Sequence, residues 1–269
     1  MRPNSAIDPE LEPPAMTDAH TIDLTGKTAL ITGTTSGFGR HMALTLARAG
    51  AHVAITGRRM ERLAELKAEI EAIDGRALPV ALDVTSVDSI RTCVETCETE
   101  LGPLDIVVNN AGMNVDQRAT DVTEDAYDQV MDTNLKGAFF VAQEAAKRMI
   151  ATGRPGRIIN IASIGGHTVL PGLSVYCMSK AAVLMMTKSL AREWARHEIN
   201  VTAICPGFIE TEINAHWFAT EGGQKQVMSY PRRRLGEIAD LDGALLLLAS
   251  DQGRIITGTS ITIDDGQSL

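Results

Sequence analysis

Apolar positions along the chain fall into two alternating kinds. Thr28–Thr32, His52–Thr56, Ala77–Leu82, Ile106–Val108, Arg157–Ile161, Asn200–Ile204 and Ser260–Ile263 are short runs with little polar interruption, the pattern of strands buried on both faces. Between them lie longer stretches with apolar residues three and four apart: Phe38–Ala49, Met60–Ile73, Val87–Leu101, Tyr127–Ile150, Val175–His197 and Glu237–Ala249. That spacing predicts helices with one buried face. Strand and helix in rotation predict an α/β fold, a single doubly wound, mostly parallel sheet with helices on both faces. Ligands of such a sheet lie beyond the carboxyl ends of its strands, near the point where strand order reverses.

Two stretches fall outside the rotation. Residues 1–22 hold Pro3, Pro9, Pro13 and Pro14 among scattered acids and read as a flexible N-terminal tail before a domain spanning 23–269. Residues 210–234 lack clear periodicity and set His216, Trp217, Phe218 and Tyr230 among Gly and Gln, the look of an insertion covering one end of the sheet.

Composition narrows the picture. With 269 residues, 44% of them hydrophobic, the chain fits one large domain. Aromatic residues make up 4%, so the core is expected to be aliphatic. Lys and Arg number 25 against 34 Asp and Glu, a net charge of −9 that gives no support to nucleic-acid binding. No apolar run approaches the ~18 residues of a membrane span, and the N-terminus lacks a signal-peptide pattern, so a cytoplasmic protein without membrane partners is the expectation. Cys93 and Cys97 stand four apart in a helical stretch, not in a Cys-x-x-Cys arrangement, and no metal site is expected.

Directly after the first strand comes Gly33-Thr34-Thr35-Ser36-Gly37-Phe38-Gly39. A tight turn needs a residue free in φ, and an approaching pyrophosphate leaves no room for a Cβ. The helix that follows offers unpaired N–H groups and its positive end. A strand–glycine turn–helix unit therefore points to a dinucleotide-binding domain. At the end of the second strand, Gly57 stands where an acid would hold the adenosine ribose of NAD, and Arg58 and Arg59 follow. Arginine suits a phosphate, so NADP(H) is preferred, with NAD(H) the alternative. Asp83-Val84 after the third strand are assigned to capping the next helix or touching adenine. Asn110, Ala111 and Gly112 after the fourth strand let a cofactor lie close.

Tyr176 and Lys180 stand four apart at the start of a helix, so they stack on one face, with Cβ atoms roughly 6 Å apart. They form either one turn of a polar helix face or a proton-transfer pair. Ser163 precedes Tyr176 by thirteen residues across a loop rich in turns, with Gly165, Gly166, Pro171 and Gly172. Asn134 lies inside a helical pattern as a solvated position, a packing amide, or a device that frees a backbone group.

Taken together, these signals resemble the short-chain dehydrogenase/reductase family in its main, Rossmann-type group. The matching residues are Thr-Gly-x-x-x-Gly-x-Gly at Thr32 to Gly39, Asn-Asn-Ala-Gly at 109–112, Asn134, and Ser163 thirteen before Tyr-x-x-x-Lys. Pro206-Gly207 with Thr211, Ile256-Thr257-Gly258 and Ile263-Asp264 agree, and the resemblance runs from about residue 24 to the end. It implies that Tyr176 is the general acid in reduction and the base in oxidation, and that Lys180 holds the nicotinamide ribose and favours tyrosinate. It implies further that Ser163 binds the substrate oxygen and that Asn134 holds a water linking Lys180 to solvent. Thr211 would contact the nicotinamide amide after a loop shaped by Pro206, Gly207 and Ile209. A homo-oligomer, tetramer or dimer, is implied with the helices near 123–150 and 176–197 at an interface.

Two departures stand out. Ser36 occupies a place that is often basic in NADP(H)-preferring relatives, and Asp264-Asp265-Gly266 replaces the usual Asp-Gly-Gly, adding a charge near a subunit contact. The expected chemistry is reversible, NADPH-linked reduction of a small-molecule ketone or 3-oxoacyl compound to a secondary alcohol. A polyol, sugar or steroid-type alcohol dehydrogenase is the alternative, and a noncatalytic dinucleotide sensor is the alternative of another class. Ser163, His167, Ile213 and Trp217 are expected to line the substrate pocket, with His167 equally suited to capping its loop.

Overall fold

A computed structural model describes residues 22–211 and 214–269. Ile213 thus lies outside the described residues, as does the tail up to residue 21. Seven parallel strands form one sheet in the order β3-β2-β1-β4-β5-β6-β7. They are β1 (Thr28–Ile31), β2 (His52–Gly57), β3 (Arg76–Ala81), β4 (Ile106–Asn109), β5 (Gly156–Ile161), β6 (Ile199–Pro206) and β7 (Ser260–Ile263). The doubly wound α/β expectation therefore holds, and the described strands are all parallel. Strand order reverses between β1 and β4, where Ile31 pairs with Val108. The chain leaving both strands there opens one crevice, which brings the glycine turn beside Asn109–Gly112.

The helices divide between the two faces. α1 (Gly37–Arg48), α2 (Met60–Glu71) and α9 (Asp242–Ala249) pack Met42, Leu46, Leu63, Leu66, Ile70 and Leu245 on one side. α3 (Val87–Leu101), α5 (Ala138–Thr152) and α6 (Ser174–Trp194) pack Ile90, Val94, Val141, Met149, Val183 and Leu190 on the other. Each such side chain removed from water contributes about 1.5–3 kcal/mol before ordering entropy is subtracted. Both layers are largely aliphatic, as composition implied. Pro79 sits in β3, an edge strand, where its missing N–H leaves no interior ladder bond unmade.

Three segments depart from the sequence pattern. The expected helix around Tyr127–Ile150 is interrupted: α4 (Glu124–Met131) and α5 flank a π-helical turn at Asp132–Gly137. Glu237–Ala249 begins with a 3-10 turn, Ile238–Leu241, closed by a capping box between Glu237 and Asp240 before α9. The aperiodic insertion holds two short helices, α7 (Ala215–Phe218) and α8 (Glu221–Ser229). Thr220 caps α8 by accepting the N–H of Gly223, and a Cβ at Gly223 would overlap the Trp217 carbonyl. The glycines that blurred the helical pattern are therefore what let α8 fold back onto α7.

Candidate active site

The turn after β1 is tied to the loop after β4. Thr32 Oγ1 accepts the N–H groups of Asn110 and Ala111 at 3.0 and 2.9 Å. Asn110 Nδ2 donates to the carbonyls of Thr32 and Gly33 at 2.8 and 3.1 Å. A Cβ at Gly39 would overlap both Gly33 O and Asn110 Nδ2, so glycine is required there for helix and loop to meet. Gly33 and Gly37 have φ of +71° and +55°, and a Cβ at Gly37 would meet no protein atom. Ser36, the N-cap of α1, makes no side-chain cap bond, and the first turn carries no acid. The helix start thus presents N–H groups with an open approach and no internal anion, which fits a pyrophosphate. Phe38 packs its ring against the α1/α9 layer and adds backbone at the helix start.

Beside this turn, Arg59 Nη2 donates to Thr35 Oγ1 at 2.5 Å and lies 3.4 Å from Ser36 Oγ. A Cβ at Gly57 would come 2.7 Å from Thr35 Cγ2, so any larger residue at the end of β2 would push into that cluster. Asp83 does not cap α3, in contrast to one of its two expected roles. Ser86 is the cap and accepts from Ser89 N, while Asp83 accepts the N–H and hydroxyl of Thr85 at 3.0 and 2.7 Å. Those two bonds hold the Asp83 carboxyl below its ordinary pKa, and Arg58 adds to the effect. Val84 packs against the π-helical turn, where a Cβ at Gly137 would fall 2.8 Å from its carbonyl.

Tyr176, Lys180, Ser163 and Asn134 come together at the ends of β4 and β5. Lys180 Nζ is buried, donates to Ile161 O at 2.8 Å, and lies 5.7 Å from the Tyr176 ring centroid. Burial pushes the ammonium down to about 8, with Cys205 opposing it slightly. Burial likewise raises the Tyr176 phenol above its ordinary value, and the Ser163 hydroxyl works against that rise. Ser163 Oγ accepts from Gly165 N at 3.0 Å, which leaves its own proton available to donate. A Cβ at Gly165 would stand 3.3 Å from Tyr176 Cε1 and 3.4 Å from Ser163 Oγ, so this glycine permits the approach of serine to tyrosine.

The side chain of Asn134 is a packing amide. Its Oδ1 accepts Met113 N at 2.8 Å, and its Nδ2 donates to Met113 O at 2.8 Å and Ser179 Oγ at 3.0 Å. Ser179 in turn donates to Tyr176 O at 2.7 Å. Gly112 completes the cluster, since a Cβ there would lie 3.4 Å from Asn134 Oδ1 and 3.5 Å from Lys180 Nζ. The π-helical turn that carries Asn134 widens the backbone at this place, a distortion that recurs at functional sites.

Two contributors carried no role in the sequence pattern. Ser179 looked like a spacer, because the sequence shows neither its burial nor its bond to Asn134. Cys205, at the end of β6, had no signal at all; its Sγ lies 3.5 Å from His167 Nε2. His167 closes the 3-10 turn Ile164–Gly166 with its backbone N–H, a bond that does not use its side chain. Trp217 makes its contacts with α8, donating to Gln226 Oε1 at 2.7 Å and lying over Gly222.

The wall after β6 is set by backbone pairing. Gly207 N donates to Ile263 O at 2.9 Å, following Pro206 at the strand end. Ile209 is buried and bridges to Gly236. Thr211 N donates to Asn214 Oδ1 at 2.7 Å. On the opposite side, Gln117 N donates to Gly172 O at 3.0 Å, joining the loop after Gly112 to the loop before Tyr176.

The short chain dehydrogenase profile matches residues 27–222. The chain belongs to that family. It is an oxidoreductase of the dehydrogenase/reductase class. The gluconate 5-dehydrogenase of Gluconobacter oxydans (strain 621H) is 34% identical over 244 residues, 90% of this chain and 95% of that protein. A 3-oxoacyl-[acyl-carrier-protein] reductase of Thermotoga maritima is 37% identical over 243 residues, 90% of this chain and 98% of that protein. Among solved structures, a gluconate 5-dehydrogenase from Burkholderia cenocepacia J2315 in complex with NADP and tartrate superposes with a TM-score of 0.88. It shares 33% identity and covers 92% of this chain and 97% of that one. Among the described residues of this dehydrogenase, no group of three or more His, Cys, Asp or Glu could hold a metal ion, and no helix is long and apolar enough to cross a membrane.

Proposed function

We propose that this enzyme carries out NADP(H)-linked, reversible reduction of a small-molecule ketone or 3-oxoacyl compound to a secondary alcohol. The observation that carries the reading is the convergence of Ser163, Tyr176 and buried Lys180 at the mouth of the crevice that begins at the glycine turn. The open start of α1 fits the pyrophosphate, and Thr35, Ser36, Arg58 and Arg59 fit a ribose phosphate. NADP in the Burkholderia relative supports the same choice. Asn110, Ala111, Gly112, Pro206, Gly207, Ile209 and Thr211 form the remaining walls of the cofactor crevice.

The bound nicotinamide supplies the hydride in reduction and accepts it in oxidation. Ser163 donates a hydrogen bond to the substrate oxygen and stabilises the negative charge that develops there. Tyr176 carries its proton at neutral pH, as an ordinary phenol does, and burial raises it further, so it acts as the acid of reduction. Lys180, with a pKa of about 8, is charged at neutral pH, and that charge, 5.7 Å from the Tyr176 ring, favours the phenolate left when Tyr176 gives up its proton. Asn134 and Ser179 hold the helix turn between Tyr176 and Lys180 in place.

A sugar-acid or polyol dehydrogenase is the second reading, supported by the resemblance to the Gluconobacter protein. Residues 23–269 form the catalytic domain in this reading, and 210–234 cover the substrate. Exposed apolar side chains on α4, α5 and α6, including Tyr127, Ile150 and Met185, support a homo-oligomer built on these helices, a dimer or tetramer. The four free cysteines suit a reducing, cytoplasmic setting.

Purified enzyme assayed with NADPH and NADH against ketones, acyl thioesters, sugar acids and polyols tests the assignment by nicotinamide absorbance. Tyr176→Phe is expected to lower turnover on the best substrate by roughly 10²–10⁴-fold while cofactor binding persists. Near-normal turnover in a folded Tyr176→Phe variant would remove the tyrosine from proton transfer.

A further inference from the structure

Asp265 stands where the resemblance calls for glycine, and the structure shows a use for its side chain. Its backbone is left-handed, φ +53°, a conformation that disfavours an L side chain. Its carboxylate receives Arg234 Nε at 2.7 Å and Arg232 Nε at 3.1 Å. Arg233 between them is itself left-handed at φ +53°, so both ends of the contact hold uncommon backbone. Such conformations persist where surrounding structure demands them and gather at functional sites.

The same C-terminal turn also grips the chain after β6. Gln267 Oε1 accepts Phe208 N at 2.6 Å and Gln267 Nε2 donates to Phe208 O at 3.2 Å. Phe208 stacks on Tyr230, with ring centroids 5.9 Å apart and 20° between planes, and meets Phe218 edge-on at 5.9 Å. The turn is internally braced, since Asp264 accepts the N–H groups of Gly266 and Ser268 at 3.0 and 2.9 Å. One braced turn therefore holds the covering segment at its start, Phe208, and at its end, Arg232 and Arg234. Between those points lie Thr211 and the α7–α8 pair.

We infer that Asp265 is a positioning residue for substrate: an electrostatic latch that keeps 208–234 seated over the site. The inference rests on the proposed role of this segment as the substrate cover. Arg234 and Arg232 hold the Asp265 carboxyl below its ordinary range, so the latch is charged throughout the neutral range. Because the arginines are largely exposed while Asp265 is not, salt is expected to weaken the contact.

Asp265→Gly separates the latch from a generic stabilising role. Glycine suits φ +53°, so the variant is expected to melt at or above the wild-type temperature. It is nevertheless expected to raise KM for the best substrate by roughly fivefold, with kcat within about twofold of wild type. High NaCl should raise the wild-type KM toward that of the variant and leave the variant's KM nearly unmoved. Asp265→Asn, which tolerates the left-handed backbone but lacks charge, should also raise KM. Hydrogen exchange of 215–229 gives a readout free of turnover and should quicken in both variants. Unchanged exchange together with unchanged KM in Asp265→Gly overturns the inference. Quickened exchange in a protein that turns over no substrate in the panel supports the latch and instead overturns the proposed catalytic function.

Discussion

Lys180→Met separates the chemistry of the buried lysine from its place in the fold. Burial moves the ammonium from 10.5 to about 8. At about 1.4 kcal/mol per pH unit, that interval corresponds to about 3 kcal/mol of native-state destabilisation when the group is charged. The sign follows from proton counts. Below pH 8 the lysine is protonated folded and unfolded, and the full cost of burying charge is present. Between about pH 8 and 10.5 the folded lysine has released its proton while the unfolded one keeps it, so stability rises with pH. Above 10.5 the cost is gone. Methionine keeps the unbranched stem and removes the charge, but it deprives Ile161 O of its donor, a loss of about 1–3 kcal/mol. At pH 7 the variant is therefore expected to be as stable as wild type or up to about 2 kcal/mol more stable. Equilibrium urea unfolding of both proteins at pH 7 and pH 10 measures the difference. Between those pH values it should move by about 2.5 kcal/mol in favour of wild type, because other titrating groups cancel in the comparison. Turnover should fall by roughly 100-fold or more at either pH. A stability difference that stays constant from pH 7 to pH 10 would refute the argument, since it would mean that the fold does not perturb Lys180.

Two further substitutions probe the cofactor crevice. Arg59→Ala removes the guanidinium from Thr35 and Ser36 and should lower the affinity ratio of NADPH to NADH by about 10- to 100-fold in paired titrations; an unchanged ratio would place the ribose phosphate elsewhere. Gly39→Ala puts a methyl into Gly33 O and Asn110 Nδ2 and should destabilise the fold by about 1–3 kcal/mol while weakening both dinucleotides. Full stability with full cofactor affinity would show that the turn has slack the geometry does not display.

Much of this molecule was legible without coordinates because the relevant physics is local. A strand buried on both faces must be apolar throughout, so β1, β2 and β4–β6 announced themselves as short runs. Gly33, Gly37 and Gly39 are adjacent constraints on one turn, and Tyr176 and Lys180 share one helical face by spacing alone. Gly222 and Gly223 worked in the other direction: low helix propensity hid α8, whose close packing on α7 is what demands a glycine.

What only the tertiary structure decided involves partners far apart in the chain. The π-helical turn at Asn134 sits against Val84 and binds Met113 and Ser179, none of which has a fixed spacing from it. The proton affinity of Lys180 follows from burial under β5, near Cys205, and no property of the Tyr-x-x-x-Lys string measures burial. Asp265 appeared in the sequence as a charge expected near a subunit contact, and only the fold sets it between Arg232 and Arg234. The sequence by itself determined the class of fold, the order of its strands and the residues proposed here for hydride-linked proton transfer. The tertiary structure decided which amides brace them, how burial shifts the proton affinity of the lysine and what ties Phe208, Arg232 and Arg234 to the C-terminal turn, because those depend on dielectric surroundings and through-space distances that a linear pattern does not contain.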